Sequence, residues 1–100
     1  MIKHIVMWKL KVEADSAHKS TNAQSVKQKL EALNGHIPGM LKLEVGIDFS
    51  QTDASFDVVL YSEFDSREAL AAYHHHPLHL AVAPFIGAVR EQRVLVDYET

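Results

Sequence analysis

The chain has 100 residues, 47% of them hydrophobic and 23% charged, which fits one ordinary globular domain over residues 1–100 with a modest core and one small pocket. A net charge of −3 with no basic stripe argues against nucleic acid, and the absence of cysteine removes disulfide and thiolate chemistry and favours the cytoplasm. No apolar run approaches the roughly 20 residues that span a bilayer, and the charged opening MIKHIVMWKLK does not read as a signal peptide, so no membrane partner is expected.

The first eleven residues after Met1 alternate on a period of two. Ile2, His4, Val6, Trp8, Leu10 and Val12 share one face, and Lys3, Ile5, Met7, Lys9 and Lys11 share the other, which predicts a strand. The period then changes: Ala23, Val26, Leu30 and Leu33 recur at helical spacing, with Lys27, Lys29 and Glu31 expected to face outward. Asp15 or Ser16 offers an N-cap for this helix, and Asn34-Gly35 offers a stop. Pro38-Gly39 marks a turn into two strands, MLKLEVGID and SFDVVLYSEF. In the second of these, Phe56, Val58, Leu60 and Phe64 lie on one face, with Asp57, Val59, Tyr61 and Glu63 on the other. Asp65 or Ser66 caps a second helix with Glu68 in its first turn. Pro77 interrupts that helix and starts an offset helical piece, PLHLAVAPFI, and REQRVLVDYE closes the chain as a strand.

The order is strand, helix, strand, strand, helix, strand. It predicts an α+β, ferredoxin-like βαββαβ fold with one antiparallel four-stranded sheet and helices on one side. The helix-free face then carries Ile5, Met7, Val59 and Tyr61, too apolar to remain wet. Covering it with a second copy about a two-fold axis predicts a homodimer.

The stretch YHHHPLH, residues 73–79, holds four of the seven histidines. His76 and His79 have a spacing that metals use, but Pro77 breaks the helix that would align them and no cysteine joins them, so neither metal nor cofactor is expected. Tyr73 and His76 lie about a turn apart and can address one pocket, where an imidazole moves a proton and a phenol donates to a developing enolate. The restart at Pro77 lets His79 and Val82 face the same interior, whereas His74 and His75 are expected to turn to solvent. A structural reading stands beside this one. His76 can cap the new helix, Tyr73 can be a core aromatic with its hydroxyl satisfied at the edge, and His4 can be a hydrogen-bonded core histidine.

The opening strand, IPGM followed by LEVGID, AYHHHPLH and the closing VDYE together resemble the stress-responsive dimeric α/β barrel (Dabb) family, over nearly the whole chain. The resemblance implies a ferredoxin-like protomer that joins its partner in a dimeric barrel, with a small apolar cavity in each subunit. It also implies a comparison with a plant cyclase of that family, which closes linear polyketides by aldol condensation using a tyrosine and a histidine in a Tyr-x-x-His-Pro-x-His pattern. Tyr73, His76, Pro77 and His79 match that pattern and His4 matches a strand histidine, while the surrounding pocket does not match clearly. Three readings follow. The chain binds a small apolar or aromatic ligand lined by His4, Val6, Trp8 and His76; it is a cofactor-free cyclase, lyase or isomerase using Tyr73 and His79; or it is a structural, stress-associated oligomer.

Overall fold

Strand β1 (Ile2–Leu10) sets the frame in the computed structural model, which describes residues 1–100. As its alternation dictates, Ile2, His4, Val6, Trp8 and Leu10 are buried, while Met7 on the other face is exposed. A short hairpin follows, β2 (Glu13–Ala14) and β3 (Ala17–His18), turning through Asp15 and Ser16. Both turn residues have positive φ, 52° and 60°, as a tight hairpin of this hand requires. Asp15 and Ser16 are therefore not the helix cap expected of them. Helix α1 (Lys19–Glu31) starts later, capped by His18, whose ring nitrogen accepts from the Ser20 N–H. Buried Asn22 donates to the Ala14 and Ala17 carbonyls and so ties the hairpin to the helix.

The chain continues through β4 (Met40–Ile47), β5 (Val58–Phe64), α2 (Arg67–His75), α3 (Pro77–Val89) and β6 (Arg90–Glu99). Sheet order is β4-β5-β1-β6, antiparallel at every pairing, which is the ferredoxin-like arrangement. Entry to β4 depends on Gly39, at φ +78°; a Cβ there would lie 2.6 Å from the Ala69 Cβ. Ser66 caps α2 by accepting from the Ala69 N–H. The piece beginning at Pro77 runs beyond Ile86 to Val89, with Pro84 inside the helix on its exposed side. No helix is long and apolar enough to cross a membrane.

The core lies between the sheet and the helices. Val6, Leu10, Val58 and Phe64 of the sheet pack there with Val26 and Leu30 of α1, Tyr73 of α2 and Val89 of α3. The two sheet edges are treated differently. At β4, Lys27 and Glu31 of α1 turn to the strand rather than outward: Lys27 Nζ donates to the Val45 carbonyl at 2.6 Å and Glu31 accepts from the Val45 N–H at 3.2 Å. These bonds hold the Glu31 carboxyl below its ordinary pKa, the Lys27 ammonium having the larger effect, and they occupy groups that an open edge would offer to another chain. Strand β6, the other edge, is exposed along its whole length. Its Val94, Val96 and Tyr98 lie opposite Met7, Ile5 and Lys3 and extend the apolar helix-free face.

Candidate functional site

A cavity of about 160 Å³ opens between the sheet and the α2–α3 corner. Its apolar wall is built from Val6, Trp8 and Leu60 of the sheet and Val82 and Ile86 of α3. Its polar groups are His4, Tyr73, His74, His79, Arg90 and Arg93.

His4 reaches the cavity because period two places it on the helix side of β1, where it is 2% exposed. Antiparallel pairing sets Asp97 of β6 directly opposite, and His4 Nδ1 lies 2.5 Å from Asp97 Oδ1. An ionised carboxylate only accepts, so this contact puts a ring proton on Nδ1. Ser62, opposite His4 on β5, donates to the His4 carbonyl at 2.9 Å and pins the strand from its other flank.

Tyr73 comes from the last full turn of α2. It is 2% exposed, and its hydroxyl has no hydrogen-bond partner in the protein. Burial pushes the phenol up to about 12, so it remains a proton donor through the physiological range. The His79 ring sits 4.6 Å away between centroids, and those of His74 and His4 lie at 5.6 Å and 6.4 Å. His79 Nδ1 lies 3.3 Å from the His74 carbonyl, which can only accept, so His79 also carries its proton on Nδ1.

Burial is the largest influence on both His74 and His79 and lowers the pKa of each. The neighbouring His4 lowers both further, while the bond to the His74 carbonyl works the other way at His79. These two imidazoles are therefore neutral near pH 7. The site thus offers neutral bases, a buried hydroxyl donor and an apolar wall, with two guanidiniums where the cavity meets solvent. No three histidine, aspartate or glutamate side chains are arranged to hold a metal ion.

Of the residues singled out from the sequence, His4, Val6, Trp8, Tyr73 and His79 meet in this one cavity. His76 does not line it. Its ring accepts from the Leu78 N–H at 3.1 Å and caps α3, so the helix break consumes the side chain that was assigned to the pocket. His74, expected in solvent, lines the cavity instead, because α2 continues through it and turns its ring toward His4 at 5.4 Å. The Tyr73 hydroxyl is unsatisfied rather than bonded at an edge. Arg93 was not anticipated, although alternation along the last strand places Arg93, Leu95 and Asp97 on the face of Trp8, Val6 and His4.

The stress responsive A/B barrel domain family matches residues 2–100. A dimeric protein of unknown function with a ferredoxin-like fold from Bacteroides fragilis is 33% identical; the match covers 99% of this chain and 95% of that one, with a TM-score of 0.84. A Dabb family protein from Mesorhizobium loti, 21% identical over 99% of this chain and 95% of its own, has a TM-score of 0.76. A hydroxynitrile lyase from Passiflora edulis shares the fold at a TM-score of 0.76 and 20% identity, covering 97% of this chain and 90% of the lyase. No curated protein matches the sequence.

Proposed function

The chain belongs to the stress responsive A/B barrel domain family, and from that premise we propose that it acts as a homodimer in which each subunit's cavity binds a small, largely apolar or aromatic molecule. The observation that carries this reading is the Tyr73 hydroxyl, buried and without a partner in the protein, at a cavity with an apolar wall. An unsatisfied buried hydroxyl costs about 1–3 kcal/mol, and a ligand oxygen placed against it removes that cost. The volume suits a single ring, since apolar cavities of roughly 150 Å³ accept benzene. Native mass spectrometry of gently purified protein tests the proposal. A retained small molecule, lost from Tyr73→Phe protein, is the expected result; failure of every single-ring compound in a binding screen would remove the reading.

A second reading is favoured by one specific arrangement, the Tyr73 and His79 rings at 4.6 Å, with the phenol kept protonated and the imidazole kept neutral. Such a pair can enolise a carbonyl compound without a cofactor: His79 removes the α-proton and the Tyr73 hydroxyl donates a hydrogen bond to the oxygen as charge builds there. A lyase is built on the same fold. Exchange of α-hydrogens of a small aryl ketone for solvent deuterium, followed by NMR, is the direct assay. Acceleration over buffer that vanishes in His79→Ala supports an enzyme, and no acceleration leaves the binding protein.

A further inference from the structure

We propose that the molecule this cavity takes is a carboxylate, an aromatic or compact apolar acid whose charged end is held by Arg93. This rests on the reading of the cavity as a ligand site and adds the ligand's charge. The chain is acidic overall, with 13 Asp and Glu against 10 Lys and Arg, yet the cavity lining contains two arginines and no acidic side chain. The third arginine, Arg67, is paired with Glu99 at 3.0 Å, whereas Arg90 and Arg93 make neither an ion pair nor a side-chain hydrogen bond within the chain.

Arg90 has another explanation. It is the C-cap of α3, where a cation suits the negative end of the helix. Arg93 sits in mid-strand on β6, opposite Trp8, on the face that looks into the cavity, and no helix end or acidic partner accounts for it. Asp97, a carboxylate on the same face of the strand, is engaged by His4 Nδ1. His74 and His79 are neutral, so the guanidinium is the lining charge best placed to choose a ligand by its sign, and its planar fork matches a carboxylate in two parallel bonds. An apolar body between Trp8, Leu60 and Ile86 would then leave an oxygen function or ring edge to face the Tyr73 hydroxyl.

Calorimetric titration of the intact protein at neutral pH with benzoate and phenylacetate, each against its uncharged amide, tests this. The amides keep shape and size, remove the charge and put an NH2 donor in place of one acceptor oxygen. Each acid that binds should do so at least about tenfold more tightly than its amide, and Arg93→Gln should abolish that preference while amide binding holds within about twofold. Arg67→Gln, at an arginine outside the cavity, should change the preference little, and Arg93→Lys, which keeps the charge but not the fork, should fall between wild type and Arg93→Gln. Acids and amides bound equally by the wild type would overturn the proposal while leaving the cavity a ligand site. Binding of neither would overturn both. The wild-type comparison decides the charge question even if a variant fails to fold.

Discussion

Tyr73 is a residue at which stability and binding pull apart. A buried hydroxyl with no partner is paid for by the rest of the fold, so Tyr73→Phe should leave stability unchanged or raise it by up to about 1 kcal/mol. The same change should weaken ligand binding several-fold; a loss of more than about 1 kcal/mol in urea unfolding would instead reveal a structural bond to the hydroxyl. The imidazoles give a second prediction. His74 and His79 have folded values below the unfolded value of about 6.5. Between the two values the unfolded chain binds more protons, so their contribution to stability is complete above about pH 6.5 and is lost as pH falls toward the folded values. Replacing both with Gln should flatten that slope, and NMR titration should find both below about 6.5. All seven histidines titrating together at that value would remove the site. At this scale the sequence was partly legible. Period two alone brought His4, Val6 and Trp8 to one wall, but the continuation of α2 through His75 decides where His74 goes, and only the β1–β6 register places Arg93 and Asp97.

At the α2–α3 corner, two neighbouring elements share one residue. His76 ends α2 and caps α3, so His76→Ala should cost about 0.5–2 kcal/mol in thermal or urea unfolding, with Asn at the same position restoring most of it. Ligand binding should be unaffected, because the ring stands outside the cavity lining. Weakened binding at unchanged stability would put His76 in the site after all. The Pro38-Gly39 turn is a stricter junction. Gly39→Ala meets both a left-handed φ and the Ala69 Cβ, and should cost on the order of 2–4 kcal/mol by denaturant unfolding. The strands and helices that carry long apolar periodicity were readable from sequence, down to the last strand at residues 90–99. The hairpin at residues 13–18 was not, because Asp and Ser serve both turns and helix caps and no glycine marked the positive φ. The inward turn of Lys27 and Glu31 also escaped periodicity, since long charged side chains can lie back over a neighbouring edge.

The whole molecule raises the question of what covers the helix-free face. Met7, Val94, Val96 and Tyr98 are 40%, 40%, 51% and 43% exposed, one contiguous set across β1 and β6. β1 is the only strand paired with β6 in the isolated chain, yet β6 supplies both Asp97, which orients His4, and Arg93, which lines the cavity. Association through this face should therefore do more than bury apolar surface; it should steady the strand on which the site depends. Light scattering at micromolar concentration should return about twice the 11.2 kDa chain mass. Met7→Asp places a carboxylate where the partner would pack, at a cost of several kcal/mol when buried and unpaired, and should give monomer or aggregate. The coupling has its own readout. If dimerisation supports β6, amide exchange at residues 92–98 and ligand affinity should both worsen as the protein is diluted toward dissociation, whereas β5, flanked by β4 and β1, should stay protected. Affinity independent of protein concentration across that range would mean that each cavity stands alone and the dimer serves stability only.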